Sequence, residues 1–429
     1  MQSLRNTLAA ALIALIPASA TAGSFNEISR HLDTDGTFLA FADFEGDGRE
    51  ISQALQDIYA ELVVNQPMLA LVQMDFNRLF ETLGFASIRA IGASSKPLEN
   101  GIHANRFVIS LQEGEPQGLL RMNGDRDSAT STFTAAQLAP ADATAAITGI
   151  MQLQSLRDMV IALMSQFMGP VGESLAKNQL AATLPKTGIT YDELIETLSG
   201  KWDVFWHESF DENFNPAYKA WLRVDGAAGL ADRLKPLADS MRIHYSETGD
   251  GLKADLSSLL PLPGYGLFME TSTKQDSLTL YTHPGWGPNS PGPRLSETGH
   301  FRALAKHLPK KALNFSYSDA YDITALMQAL TQGSPGVAPY MASIEKTLEL
   351  LIGDFLKPVI SVSYFEKNAF VTDSYATYSV KQATMLLPAA LLCGVTAAAA
   401  MPVLESMEPS LQEEEEADGA CEECEEWQE

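Results

Sequence analysis

The chain has 429 residues, 45% of them apolar, enough for one large core or two ordinary ones. A formal net charge of −25 leaves no clustered Lys and Arg for phosphate contacts, which excludes nucleic acid as an expected partner. The three cysteines, Cys393, Cys421 and Cys424, all stand near the C-terminal end, so neither a disulfide framework nor a Cys nucleophile is expected in the body of the chain.

Residues 1–22 read as a secretory signal peptide. Arg5 supplies a small positive start, residues 8–16 a short apolar core, and Ala20-Thr21-Ala22 a small-x-small cleavage site. Next comes a strand-like run, Phe38 to Asp43, between two acidic turns, Asp33-Thr34-Asp35-Gly36 and Asp43-Phe44-Glu45-Gly46-Asp47-Gly48. The second turn resembles the opening of a calcium loop. Ala54, however, stands where such a loop needs a bidentate Glu. Acidic capping of a strand end and a helix start is the simpler reading.

Residues 51–83 carry apolar positions at helical spacing (Leu55, Ile58, Leu62, then Leu69, Val72, Phe76, Leu79), with a break at Pro67. Residues 88–122 predict three short strands, the last over 118–122. Residues 135–184 form an Ala- and Met-rich region that reads as helical. Within it Met159, Leu163, Phe167 and Met168 are candidates for an apolar ligand groove, packing into a core being the other use of such a face.

Thr190 and Glu193 make a capping box for a short helix ending at Gly200. Two alternating runs follow, 201–208 and 217–224, which predict a pair of strands; Trp202, Val204 and Trp206 are read as the apolar face. Similar helix-then-hairpin patterns occur upstream, at 79–84 with 88–92 and 107–112, and downstream, at 348–353 with 359–365 and 374–380. In addition, Arg30-His31-Leu32 precedes the first strand and Lys306-His307-Leu308 precedes another at 313–319. Helical runs at 51–64 and 323–330 follow these. The recurrence predicts duplication of an α+β unit. Between the last two copies, 227–241 reads as a helix strained by Pro236, and 244–253, 266–271 and 277–282 read as strands.

Residues 283–299 hold four Pro and four Gly without periodicity. Trp286 and His283 in this loop are candidate partner contacts. Residues 385–404 are uncharged over a length that can span a bilayer, although Pro388 and Pro402 interrupt them. The tail, 405–429, is acidic and of low complexity. Its Cys421-Glu422-Glu423-Cys424 lacks the further ligands a zinc site needs.

The seven His are scattered, and no HExxH, GxSxG or GxxxxGK pattern occurs. His207, beside Glu208 and near Asp211 and Glu212, is the densest titratable group but lies at an expected strand end. No catalytic residue, cofactor or metal is expected. The fold class expected is α+β: repeated helix–β-hairpin units forming mainly antiparallel sheet packed with helices, plus a C-terminal transmembrane helix. The parts would be a signal peptide (1–22), a first unit with the Met-rich region (23–185), second and third units (186–384), the membrane helix (385–404) and the tail (405–429). This layout is similar to that of bacterial envelope proteins. It implies a non-enzymatic protein anchored in the inner membrane, with a periplasmic domain that binds another envelope protein or, alternatively, a lipid or other apolar ligand.

Overall fold

The computed structural model describes residues 22–385, apart from 73, 113–115, 211–215, 260–265, 321–345, 347, 348 and 350–352. The chain up to Ser379 forms one compact unit, and a second begins at Val380. The expected membrane stretch lies almost wholly outside the described residues, as do the signal peptide, the acidic tail and the helical run at 323–330.

The strands are β1 (Phe38–Asp43), β2 (Ile88–Pro97), β3 (His103–Leu111), β4 (Thr130–Ser131), β5 (Ala145–Met151), β6 (Gly200–Phe210), β7 (Pro216–Asp225), β8 (Tyr245–Thr248), β9 (Gly251–Asp255), β10 (Phe268–Ser272), β11 (Ser277–Tyr281), β12 (Lys311–Ala312), β13 (Asn314–Ser318), β14 (Val359–Glu366) and β15 (Ala369–Ala376). Thirteen of them build one sheet in the order β1-β2-β3-β15-β14-β13-β5-β6-β7-β11-β10-β9-β8; β4 and β12 pair separately. Every pairing is antiparallel. The fold is therefore α+β with a large antiparallel sheet. That sheet runs unbroken through both 23–185 and 186–384.

One local arrangement occurs three times. A lone strand is followed, after a long excursion, by a hairpin, and the lone strand pairs with the first strand of that hairpin. This holds for β1 with β2 and β3, for β5 with β6 and β7, and for β13 with β14 and β15. The first excursion contains α2 (Asp47–Asn65) and α3 (Phe76–Leu83), after an opening helix α1 (Ala22–Ile28). The short helices α4 (Gly118–Arg121) and α5 (Thr134–Leu138) precede β5. The second excursion contains α6 (Leu153–Ala181) and α7 (Tyr191–Leu198). Helices α8 (Leu230–Met241) and α9 (Gly299–Ala305) follow β7 and β11.

Strand alternation puts the core on both faces of the sheet. On one face Phe205, Trp221, Phe315, Tyr317, Ile360 and Val362 form the main cluster, closed by α5 and α9 through Ala135, Phe301 and Leu304. Aromatic contacts tie it together: Phe133 meets Phe315 edge-on at 5.7 Å, and Phe205 stacks on Trp221 at 4.7 Å. Each such side chain buried contributes about 1.5–3 kcal/mol. A smaller cluster on this same face, Ile28, Leu32, Ala90, Val108 and Val371, seats α1, and Tyr364 packs against both. On the opposite face Val224, Leu252, Met269 and Leu278 pack with Ile189, Leu230 and Trp202 beneath α7 and α8.

A polar clasp joins the two clusters of the first face. Arg106 donates to both carboxylate oxygens of Asp373, at 2.6 and 2.9 Å, and to the His31 carbonyl at 3.2 Å. The Tyr364 hydroxyl donates to Asp373 at 2.8 Å. Burial, reinforced by that carboxylate, raises the Tyr364 pKa and keeps the phenol protonated.

Several expectations need correction. The stretch 118–122 holds the helical turn α4 rather than a third strand, so the hairpin β2–β3 stands alone. The region 135–184 is not wholly helical: β5 lies inside it, and its Ala residues are small because Ala146 is fully buried under α5. Gly84 closes α3 in the left-handed conformation, as expected, but Gly200 does not close α7; Ser199 ends that helix in an extended conformation and Gly200 already belongs to β6. The apolar face expected of β6 is packed, but the opposite face is the more deeply buried. Phe205 is completely buried and Asp203 lies beside it at 1% exposure, whereas Trp202 packs on the other face. With both faces covered, alternation between apolar and polar no longer marks the inside.

Candidate functional site

A concavity of the helical layer lies where α2, the segment leading into α3, and α6 converge. Its origin is local. Gly169 inside α6 has φ 62° and ψ −153°, a conformation that side chains disfavour, and Pro170 follows it. Pro170 has no N–H to return to the Gln166 carbonyl, so the helix bends sharply there. A Cβ on Gly172 would stand 2.0 Å from the Met164 carbonyl oxygen; only glycine lets the second limb come so close to the first.

The facing wall is built from α2. Pro67 starts a short 3-10 turn at Pro67–Leu71, and the Tyr59 hydroxyl donates to the Leu69 carbonyl at 2.6 Å, pinning that turn to the helix. Gln56 clamps the next segment: its amide donates to the Met74 carbonyl and accepts from Phe76 N–H, both at 3.1 Å. Asp75 then caps α3 by accepting from Arg78 N–H at 3.0 Å. The groove between these walls has a volume of about 600 Å³, within the roughly 300–1,000 Å³ typical of small-molecule sites. Val63, Val72, Met74 and Pro170 line its apolar part, and Asp75, Arg78, Ser165 and Gln166 its polar part.

Two polar groups of this lining keep unused bonding capacity among the described residues. Gln166 is 5% exposed and donates to the Asp75 carbonyl, but its Oε1 has no hydrogen-bond donor among the described residues. The Arg78 guanidinium enters no ion pair among the described residues. The nearby Glu173 carboxylate is engaged by Lys177 at 2.6 Å, which holds it below the usual carboxylate range. Exposed apolar side chains flank the lining in sequence, among them Val64, Met68, Met168 and Val171, at 80%, 76%, 49% and 63% exposure. α6 is long and apolar enough to cross a membrane by length and composition alone, although it is bent at Gly169.

The expected groove residues stand close by but do not line it. Met159, Leu163 and Phe167 are half-buried and Met168 is exposed; their neighbours Ser165 and Gln166 face the space instead. The expected partner contact is divided. His283 is exposed, its ring hydrogen-bonding only the adjacent Pro284 carbonyl. Trp286 is not an exposed anchor: it is 8% exposed, packs edge-on against Phe205 at 5.4 Å and donates to Asp142 at 3.1 Å. Arg78, Gln166 and Tyr59 were not singled out from the sequence, since nothing local marks them. The Gly169-Pro170 pair inside an otherwise helical run was the available signal.

No constellation of catalytic type assembles elsewhere among the described residues. His207 reaches the Asp142 carbonyl at 2.6 Å and His300 approaches Asp319 at 3.8 Å. No group of three or more His, Cys, Asp or Glu able to hold a metal is present among the described residues. Asp203 is the deepest carboxylate. It accepts from Thr148 Oγ1 at 2.8 Å, Thr148 in turn accepts from Ala135 N–H at 2.9 Å, and Lys201 Nζ lies 3.2 Å away. Burial raises its pKa despite Lys201. A carboxyl raised on folding stabilises the fold below its unfolded pKa, and that stabilisation is lost as pH rises through the folded value. The stability of Asp203→Asn relative to the parent should therefore rise by on the order of 1 kcal/mol between pH 4 and pH 8, because the asparagine carries no charge for burial to penalise. Urea denaturation at the two pH values measures it, and a variant whose stability relative to the parent does not rise from pH 4 to pH 8 would refute the reading.

No family model matches the chain, and no curated protein or solved structure is similar to it.

Proposed function

We propose that the protein is a non-enzymatic, extracytoplasmic binding protein that holds an apolar or amphipathic small molecule in the groove between α2, the start of α3 and the bend of α6. The observation that carries this reading is the combination of a ligand-sized space, an apolar floor and, among the described residues, a Gln166 Oε1 without a donor and an Arg78 guanidinium without an ion pair. The signal-like residues 1–22 and the apolar stretch 385–404 support delivery across, and anchorage at, an inner membrane. The three strand–excursion–hairpin arrangements support an origin by duplication of an α+β unit.

Binding to another envelope protein through the 283–299 loop is the weaker reading, because Trp286 is occupied by the core. Native mass spectrometry of the full-length protein, extracted from membranes under mild conditions, tests the proposal. A co-purifying small mass that disappears when Val72→Trp fills the groove is the expected result. An apo mass for both proteins counts against it.

A further inference from the structure

Resting on that reading, we infer that the groove takes a long-chain fatty acid, with the carboxylate on the Arg78 guanidinium and the acyl chain along Val63, Val72, Met74 and Pro170. The chemistry follows from what the walls offer. A chain of net charge −25 repels anionic surfaces as a whole. Within the groove lining the Arg78 guanidinium enters no ion pair among the described residues; Asp75, which caps α3, lines the same space, and the Arg78 charge helps Lys177 hold Glu173 below the usual carboxylate range. A guanidinium presents its donors in a planar fork that matches a carboxylate. Next to it, the buried Gln166 Oε1 lacks a donor, and water carried in with a carboxylate head group satisfies such an acceptor.

Size selects a single chain. If a methylene occupies about the same space as a water molecule, roughly 30 Å³, then 600 Å³ holds about 20 such groups. That suits one long acyl chain with its head group and is too small for a two-chain phospholipid. The groove is open, and the exposed Met68 and Val171, which flank its lining in sequence, provide apolar surface for the end of a longer chain.

The test uses the full-length protein in a mild detergent, with oleate and oleyl alcohol as probes of equal chain length and different charge, read by isothermal titration calorimetry. Arg78→Gln keeps the backbone N–H that Asp75 caps, so α3 is preserved, and its thermal melting point serves as the control. The expected result is oleate binding that falls tenfold or more in Arg78→Gln, with oleyl alcohol binding unchanged. Equal binding of the two probes to the unsubstituted protein, or an oleate affinity that Arg78→Gln leaves unchanged, overturns the assignment of the head group while leaving an apolar-ligand function standing. Failure of both probes to bind overturns the groove function itself. Attachment to phosphatidylcholine vesicles with no uptake of free oleate also overturns the inference, since it makes the apolar rim a membrane contact rather than a ligand site.

Discussion

Arg106→Met should destabilise the folded protein by about 3–5 kcal/mol, the range for breaking one side of a buried ion pair. The Asp373 side chain is 8% exposed and receives two of its three side-chain hydrogen bonds from Arg106, at 2.6 and 2.9 Å; the third comes from Tyr364 at 2.8 Å. Without the guanidinium, the carboxylate keeps only the Tyr364 hydroxyl as a side-chain donor. The third arm of Arg106, on the His31 carbonyl, is lost as well, so the turn that follows α1 loosens over the small cluster of Ile28 and Leu32. The double variant Arg106→Met, Asp373→Leu should recover most of the loss, because apolar replacement of a whole buried pair is often neutral or stabilising. Urea denaturation of the parent, both single variants and the double variant forms the cycle that isolates the coupling. A single variant within 1 kcal/mol of the parent would show that Asp373 is better hydrated than its burial implies. Lys96 and Asp35 meet at the same 2.6 Å, but they do so in solvent, where screening leaves the contact little to contribute.

That clasp was invisible in the sequence, and the reason is general to this fold. Arg106 and Asp373 are 267 positions apart, and only the placement of β15 beside β3 brings them opposite one another. What could be read locally was read locally: the capping box of Thr190 and Glu193, the break at Pro67 and the hairpin of β6 and β7. Period-two alternation also identified β6 as a strand, but it picked the less deeply buried face, because a sheet covered on both faces packs Phe205 and Trp202 alike. β5 was hidden for a related reason. Ala146 fits beneath α5, and Ala145, Ala146 and Gly149 dilute the β-branched signature of Ile147, Thr148 and Ile150. The groove was half legible. A Met-rich helix near a ligand could be proposed from composition, but its lining is set by the Gly169-Pro170 bend and by contacts from α2, about a hundred residues earlier in the chain.

Trp286→Ala should cost about 3–5 kcal/mol, as truncation of a core aromatic does, while leaving groove affinity unchanged. The loop that carries Trp286 looks unstructured in sequence, yet it is tied down at residues 293–295. Leu295 N–H donates to the Ala139 carbonyl at 3.0 Å and Ala141 N–H to the Pro293 carbonyl at 3.1 Å, forming a short antiparallel bridge. Inside the loop, the Arg294 guanidinium collects the carbonyls of Pro288 at 2.6 Å and Ser290 at 3.1 Å. Backbone acceptors that a Pro- and Gly-rich segment cannot pair in a ladder are thus satisfied by one side chain. Trp286 then plugs the loop onto Phe205 and anchors its indole N–H on Asp142. His283→Ala, at an exposed position, should change stability by less than about 0.5 kcal/mol. Thermal and urea denaturation of the two variants separate the roles cleanly. If Trp286→Ala keeps the parent's stability, the indole is not a core element and the loop regains its claim as a contact surface. If the loss is as large as expected, deleting 283–299 unfolds this end of the sheet, and reduced capture of any partner by such a deletion reports folding rather than recognition.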